Sequence, residues 1–234
     1  MIDLNISDRL ERIAGLITKN GTVADIGTDH GYLPIYLVKE NKAGNVIACD
    51  LRKKPLEKAK SNAADMGVDA LIDFRISDGL SAVGAGEADT YIICGMGGHA
   101  IRKILQNALD AGKLPYGTDC VLSPHTDRES LSRFLYENGF MINKEILLHE
   151  KAAYYILWKC TFDGEKRSAS PEEHAYGSLL MQTKDDVLKS YLQREEELLL
   201  RIIKKLKVLP EVNAKQRLTE VMQRLEMNKK VRWL

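Results

Sequence analysis

The sequence predicts an α/β fold, in which a seven-stranded mixed sheet covered by helices is followed by a C-terminal antiparallel helical hairpin. Strand and helix patterns alternate over residues 5–138, which is typical of a parallel sheet covered on both faces. Two apolar segments, 140–149 and 154–161, then follow each other with no room for a helix between them, which predicts an antiparallel pair. Beyond residue 171 only helical periodicity remains.

The composition is that of a globular protein. The chain has 234 residues, of which 44% are hydrophobic and 29% charged, so wholesale disorder is excluded. No apolar run approaches the ~20 residues that span a bilayer. The first ten residues include Asp3, Asp8 and Arg9 and lack the apolar core of a secretory signal, so we expect a cytoplasmic protein.

Each element of the first part has a local basis. Ser7 can cap an amphipathic first helix, and Pro34 fits the first turn of the second. Gly67 and Gly139 end the third and fifth helices. Helices are therefore predicted at 5–19, 33–40, 55–66, 100–109 and 128–138, and strands at 22–26, 45–50, 71–76, 90–94, around 120–122, at 140–149 and at 154–161.

A polar segment over 162–171 predicts a linker between two domains, 1–162 and 163–234. After it, apolar residues at steps of four and three predict a long helix, and a second helix follows Pro210. Joined there, the two helices suggest a coiled-coil-like antiparallel hairpin. The first stripe comprises Leu188, Leu192, Glu195, Leu199, Ile202 and Leu206, widened by Tyr191 and Leu198, and the second comprises Leu218, Val221, Met222 and Leu225.

The four cysteines, Cys49, Cys94, Cys120 and Cys160, lie far apart and form no Cys-x-x-Cys pair. None has histidines at the spacing of metal ligands. Each falls in a predicted strand, which favours buried, reduced thiols with a structural role. No metal site is predicted.

The most informative motif is the turn Val23-Ala-Asp-Ile-Gly-Thr-Asp-His-Gly31, between a strand and a helix. Gly27 and Gly31 let the backbone turn tightly and approach a ligand. The spacing differs from the Gly-x-Gly-x-x-Gly of dinucleotide sites, and Asp25 and Asp29 are unsuited to face phosphates. An acidic turn suits S-adenosylmethionine, which carries an ammonium and a sulfonium but no phosphate. A glycine-rich turn without a ligand is the alternative.

Other polar segments follow the neighbouring strands. Asp50 ends the second strand, where an acid can accept both ribose hydroxyls of an adenine nucleoside. Ser77-Asp-Gly79 offers a carboxylate and a backbone N–H to an adenine base, although Asp-Gly alone is usually a turn. Cys94-Gly-Met-Gly-Gly-His99 and Ser123-Pro-His125 follow strands four and five, where they would face the transferred group. Tight structural turns are the alternative for both.

The segments DIGTDHGYLP, ACD, SDGL, CGMGGH, LSPHTDRESLSRFL and EKAAYYIL together resemble the bacterial tRNA (adenine-22-N1)-methyltransferase family. They span nearly the whole first domain, and a helical C-terminal hairpin is also similar to the family. The resemblance implies a class I methyltransferase domain with a Rossmann-like fold, S-adenosylmethionine as the cofactor and tRNA as the substrate. This chain has Ser123-Pro124 where the family often has Gln-Pro, so it lacks a side-chain amide there.

Site residues follow from these motifs. The predicted cofactor-binding residues are Asp25, Gly27, Thr28, Asp29, His30, Gly31, Asp50, Leu51, Ser77, Asp78, Gly79 and Gly95. The predicted substrate-binding residues of the first domain are Arg9, Tyr32, Met96, Gly97, His125 and Tyr154.

The predicted reaction is methyl transfer from S-adenosylmethionine to N1 of an adenine in tRNA, at position 22 by the resemblance. N1 has its own lone pair and needs no strong base, but the product is cationic, so a carboxylate would stabilise the developing charge. Asp29 is the candidate, with cofactor binding as its alternative role. A paired adenine hides N1, so the base must leave the stack, and Tyr32 or Tyr154 would receive it.

Three rival functions stay open. The first is a methyltransferase that acts on another RNA or a small molecule. The second is a non-catalytic RNA-binding module, and the third is a dinucleotide-dependent oxidoreductase. The intact acidic turn disfavours the second, and the missing Gly-x-Gly-x-x-Gly disfavours the third.

Charge is unevenly distributed along the chain. The net charge is +1, yet from Arg201 onward ten Lys and Arg accompany three Asp and Glu. A basic tail favours a polyanion such as tRNA, with a solvated helical face as the alternative. We expect a monomer or weak dimer. The residues predicted to meet phosphates are Lys204, Lys205, Lys207, Arg217 and Arg224.

Overall fold

A computed structural model describes residues 6–18, 20–208 and 212–232. It divides into two compact units, 1–168 and 169–234, so the observed division falls slightly after the predicted one at 162/163. Arg167 explains the difference, because its N–H donates to the Tyr136 carbonyl and its guanidinium pairs with Asp163. No helix in the described ranges is long and apolar enough to cross a membrane.

The first unit is built on one seven-stranded sheet. Its order is β3-β2-β1-β4-β5-β7-β6, with β7 antiparallel to both of its neighbours and the other pairs parallel. This confirms the predicted mixed sheet. Its strands are β1 (Thr22–Ile26), β2 (Asn45–Asp50), β3 (Ile72–Ile76), β4 (Thr90–Met96), β5 (Thr118–Pro124), β6 (Phe140–Glu150) and β7 (Ala153–Phe162).

Helices cover both faces of this sheet. They are α1 (Asp8–Ala14), α2 (Tyr32–Lys39), α3 (Lys53–Asp65), α4 (Gly98–Asp110) and α5 (Arg128–Glu137). Helix α2 contacts α1 and α3, whereas α4 contacts α5. The first helix is shorter than predicted because it ends at Gly15, and glycine is unfavourable in a helix interior. The ends predicted for it, Asn5 and Lys19, lie outside the described residues.

The core lies between the central strands and these helices. Ile92 of β4 and Val121 of β5 are fully buried, and Ile13 of α1 packs in the same cluster. Central parallel strands are covered on both sides, so their apolar residues need not alternate with polar ones. Three of the free cysteine thiols, at positions 49, 120 and 160, are buried in the sheet and that of Cys94 is partly buried, as predicted for structural cysteines.

The second unit is helical. It consists of α6 (Pro171–Tyr176), α7 (Ser178–Thr183), α8 (Asp186–Leu206) and α9 (Val212–Arg232). Helices α8 and α9 bury Leu199, Ile203, Val221 and Leu225 against one another. Met222, predicted on the buried face, is instead 48% exposed. Pro210, the predicted joint of the hairpin, lies outside the described residues.

A polar cluster explains why Glu195 interrupts the apolar stripe of α8. Its carboxylate accepts hydrogen bonds from the Tyr176 hydroxyl at 2.7 Å, the Arg224 Nε at 3.0 Å and the Asn228 Nδ2 at 2.8 Å. Arg224 also lies over the Tyr176 ring, with its guanidinium carbon 4.4 Å from the ring centroid. Arg224, predicted to meet phosphates, is therefore engaged inside this unit.

Candidate active site

A cavity of about 700 Å³ opens at the carboxyl ends of β1 to β4. Strand β1 lies between β2 and β4, so the chain runs outward from β1 on one side through β2 and β3 and continues on the other side from β4. The loops that follow β1 and β4 therefore separate, which leaves a crevice at the carboxyl ends of these strands. The cavity is lined by the turns after these strands, joined by residues of α1, α4 and the turn after β5.

The turn between β1 and α2 depends on backbone conformations with positive φ. Gly27 has φ +85° and Gly31 has φ +74°, and Asp29 between them adopts φ +51°. A Cβ on Gly27 would lie 2.3 Å from the Met96 Cε, and one on Gly31 would lie 2.8 Å from the Ala59 Cβ. A side chain on Gly27 would therefore have to displace the end of the Met96 side chain, whereas the absence of one on Gly31 allows α3 to approach.

Asp50 links this turn to the end of β2. Its side chain is buried at 6% exposure, and its carboxylate accepts the Arg52 N–H at 2.8 Å and the Asp29 N–H at 3.2 Å. The two bonds go to different oxygens, so each oxygen keeps acceptor capacity for a ligand.

Asp25 lies deeper, at the end of β1, with 5% of its surface exposed. Burial raises the pKa of its carboxyl to about 6; the nearby Thr28 hydroxyl opposes the rise and the charge of Asp50 adds to it. A cationic ligand in the cavity would favour the ionised form of the Asp25 carboxylate.

The Asp29 carboxylate stands at the cavity wall and is accessible. Its Oδ2 lies 3.6 Å from the His30 Nε2, and its Oδ1 lies 3.9 Å from the Arg52 Nη2. Its backbone is fixed through Asp50 while its side chain remains free to face a ligand.

A second polar cluster is formed by Arg9 and His125, which line the cavity, and by Tyr155 behind them. Arg9 of α1 donates from Nη1 to the His125 Nε2 at 2.9 Å, and its guanidinium carbon lies 4.7 Å from the Tyr155 ring centroid. The His125 ring meets Tyr155 edge-on at 5.7 Å. Burial lowers the pKa of His125, and the neighbouring charge of Arg9 lowers it further, which favours the neutral imidazole whose Nε2 accepts a hydrogen bond from the Arg9 guanidinium.

Most of the predicted site residues meet in this cavity. Of the predicted cofactor-binding set, all line it except Gly31, and of the predicted substrate-binding set of the first unit, Arg9, Tyr32, Met96 and His125 line it. Gly97 instead caps the start of α4. Ser123 is fully buried in β5 and does not reach the cavity.

The structure does not place Tyr154 at the cavity, contrary to its predicted role in binding the substrate. Its ring packs on His149, with the centroids 4.5 Å apart, and it does not line the cavity. Successive side chains on β7 point to opposite faces, and it is Tyr155 that meets the Arg9 and His125 pair.

Eight cavity residues are absent from the predicted site set: Leu10, Ile26, Leu33, Arg52, Cys94, Ala100, Lys103 and Ile104. Ile104 packs against the turn after β3, where a Cβ on Gly79 would lie 3.0 Å from the Ile104 Cγ1. Lys103 and Ile104 come from α4, and no local pattern marks which face of a helix meets a distant turn. Arg52 follows Asp50 by two residues, so its nearness to that acid was the available clue.

The predicted phosphate contacts of the second unit differ in their surroundings. Lys204, Lys205 and Lys207 are exposed at the end of α8. Arg217 pairs with Glu220 at 2.7 Å on the surface of α9. Arg224 is only 23% exposed and pairs with Glu195, so the structure contradicts its predicted role.

Comparison with known proteins identifies the family. A family model described as a methyltransferase domain matches residues 6–157.

The chain belongs to this methyltransferase family.

Relatives agree with this assignment. The chain is 35% identical over 155 residues to the tRNA (adenine(22)-N(1))-methyltransferase of Bacillus subtilis, covering 66% of this chain and 64% of that protein. It is 31% identical over 153 residues to a putative tRNA methyltransferase of Mycoplasma pneumoniae, covering 64% of this chain and 68% of that protein. The alignment thus spans less than two thirds of the curated B. subtilis relative.

Solved structures resemble the methyltransferase chain over nearly its whole length. The B. subtilis M1A22 tRNA methyltransferase TrmK matches with a TM-score of 0.87 at 29% identity, covering 98% of this chain and 100% of that one. The M. capricolum TrmK, solved with S-adenosyl-homocysteine, matches with a TM-score of 0.82 at 30% identity, covering 96% of each chain. The resemblance indicated by the sequence motifs is confirmed.

Proposed function

We propose that this methyltransferase transfers a methyl group from S-adenosylmethionine to N1 of an adenine in tRNA, with position 22 as the expected site. The observation that carries the proposal is the cavity in which the buried carboxylate of Asp50, the acidic turn around Asp29 and the Ser77–Gly79 turn meet. The activity stated for the B. subtilis relative supports the same substrate.

The residues present fit that cofactor. The oxygens of Asp50 retain acceptor capacity for the two ribose hydroxyls, and Asp25 and Asp29 suit a ligand with an ammonium and a sulfonium. Leu51, exposed beside Asp50, and Ile104 offer apolar faces for the adenine ring. When bound, S-adenosylmethionine supplies an electrophilic methyl group.

Asp29 would stabilise the positive charge that develops on the accepting adenine. Its backbone N–H is bonded to Asp50, and its carboxylate lies 3.6 Å from the His30 Nε2 and 3.9 Å from the Arg52 Nη2. Because the backbone of Asp29 is already held beside the cavity, the carboxylate needs little movement to meet the developing charge. Because neutral adenine N1 is itself the nucleophile, no side chain has to remove a proton to create it.

The acceptor base would enter between Tyr32 and the cluster of Arg9, His125 and Tyr155. Tyr32 is 47% exposed at the cavity and can stack on an extruded base. The imidazole of His125 and the guanidinium of Arg9 provide further hydrogen-bonding groups at the cavity.

The second unit would hold the tRNA backbone. Lys204, Lys205 and Lys207 project from one end of α8 and are exposed, as phosphate contacts require. Arg217 would join them from α9. We further propose that the protein acts in the cytoplasm as a monomer or weak dimer.

The test measures transfer of label from methyl-labelled S-adenosylmethionine to bulk tRNA. Binding of S-adenosylmethionine and of NAD is measured separately by calorimetric titration. We expect cofactor binding, label in tRNA, and a reverse-transcription stop at adenine 22, since N1-methylation blocks base pairing. If label appeared only in another RNA or in a small molecule, that molecule would be identified as the substrate in place of tRNA. Cofactor binding without transfer to any acceptor would support a non-catalytic module, and binding of NAD alone would support an oxidoreductase.

A further inference from the structure

Four consecutive backbone carbonyls follow the Ser77–Gly79 turn, and all four accept hydrogen bonds from cationic side chains. The Lys113 ammonium donates to the carbonyls of Leu80 at 2.7 Å, Ser81 at 2.8 Å and Val83 at 2.7 Å. The Arg75 Nη1 donates to the remaining carbonyl, that of Ala82, at 2.8 Å. Neither cation lines the cavity.

Arg75 is itself held firmly. Its guanidinium donates to both Glu87 oxygens, at 2.7 and 2.8 Å, and to the Asp73 carboxylate at 2.6 Å. Glu87 in turn accepts the Gly84 N–H at 2.7 Å. The cation therefore connects β3 to both ends of the segment 82–87.

Internal hydrogen bonds close the same segment on its other side. The Ser77 hydroxyl donates to the Gly79 carbonyl at 2.8 Å and accepts the Ala82 N–H at 3.0 Å. The Asp78 N–H donates to the Ser81 hydroxyl at 3.1 Å. Among the residues that the structure describes, the Gly79 N–H donates to no protein acceptor.

These bonds give the segment two distinct faces. The carbonyls of residues 80–83 accept hydrogen bonds from the two cations, while Asp78, which carries a carboxylate, and Gly79, which carries the N–H, line the cavity. An acceptor beside a donor matches the edge of adenine, which offers the 6-amino group beside the N1 lone pair. Inosine presents the reverse pattern, a carbonyl beside an N1–H.

We propose that Arg75 and Lys113 are positioning residues that orient the Ser77–Val83 segment so that it selects an adenine base over a 6-oxopurine. The inference rests on the proposed function, since it takes the base to be that of S-adenosylmethionine. Neither residue touches the base. Each acts through the backbone, and without Lys113 three carbonyls lose the donor that sets their direction.

The test compares binding of S-adenosylhomocysteine and S-inosylhomocysteine, measured by calorimetry on the full chain. We expect the native protein to prefer the adenosyl compound by at least about tenfold, as paired hydrogen bonds at about 1.4 kcal/mol per tenfold allow. Lys113→Met should reduce this preference to about threefold or less. Lys113→Arg, which keeps the charge and several donors, should recover part of it. Lys58→Met, on the exposed face of α3, is the matched control and should leave it unchanged.

The ratio separates positioning from stability. Partial unfolding lowers both apparent affinities by the same factor, so it cancels in the ratio. Equal weakening of both compounds in Lys113→Met and Lys113→Arg, with the preference intact, would overturn the proposal. So would a native protein that binds both compounds equally. A native protein that binds neither compound would overturn the proposed function itself.

Discussion

The backbone N–H of Asp29 donates a hydrogen bond to the carboxylate of Asp50 over 3.2 Å. This bond joins the turn after β1 to the end of β2. Asp29 adopts φ +51°, a conformation that non-glycine residues seldom adopt, so the bond helps to hold it there. A change at Asp50 therefore reaches the proposed ribose contact and the position of Asp29 together.

Asp50→Ala should weaken S-adenosylmethionine binding by about 1.5–3 kcal/mol, through loss of charge-assisted hydrogen bonds to the ribose. Asp50→Asn, which keeps an acceptor and most of the shape, should lose less. Calorimetric titration of the two folded variants measures both effects. Native affinity in Asp50→Ala would remove this residue from the cofactor site.

Asp29→Asn should lower the single-turnover rate of methylation more than it lowers cofactor affinity, because the carboxylate faces a product that becomes cationic. The backbone bond to Asp50 is unaffected by the substitution, so the turn should keep its shape. Rapid-quench assays with saturating cofactor give the rate, and titration gives the affinity. Equal losses in both would make Asp29 a cofactor-binding residue alone.

Local patterns predicted the sheet well and the cavity partly. The predicted bounds 22–26 and 45–50 match β1 and β2, because short apolar strands ending at glycine or aspartate have clear edges. Alternation separated Tyr154 from Tyr155 but left open which one faces the cavity, since that depends on the register of β7 and the position of α1. Charge counting similarly did not distinguish exposed Lys204 from Arg224, whose partner lies on another helix.

Asp25 should make the stability of the cofactor-free protein fall as pH rises. Its pKa of about 6 in the folded state lies above the ordinary 3.8 of an aspartate, so between these values the folded state binds more protons and the free energy of unfolding decreases with pH. The contribution is fully present below about pH 4 and lost above about pH 6. Urea unfolding at several pH values, compared with Asp25→Asn, isolates it. If the free energy of unfolding depended on pH in the same way in both proteins, the raised pKa of Asp25 would be contradicted.

Arg224→Met should destabilise the second unit by about 1–3 kcal/mol, because it leaves the Glu195 carboxylate without its cation in a partly buried cluster. Lys204→Met, at an exposed position, should change stability by less than about 0.5 kcal/mol. Thermal and urea unfolding of the two variants makes the comparison. If Arg224→Met were as stable as the native protein and bound tRNA more weakly, the original prediction of a phosphate contact would be restored.

Replacing Lys204, Lys205 and Lys207 together with Ala should weaken tRNA binding and leave cofactor affinity unchanged, because these exposed side chains lie at the C-terminal end of α8 and none lines the cavity. Each phosphate contact contributes about 0.7–0.9 to the slope of log affinity against log salt, so the slope should flatten by about 1–2 units. Filter binding at several salt concentrations measures it. The matched control replaces Lys54, Lys58 and Lys60, which are exposed on α3 of the first unit. If the control variant flattened the slope and the α8 triple variant did not, we would conclude that tRNA docks on the first unit. The hairpin would then serve another purpose, such as self-association. Sedimentation of the native protein and the triple variant would detect self-association.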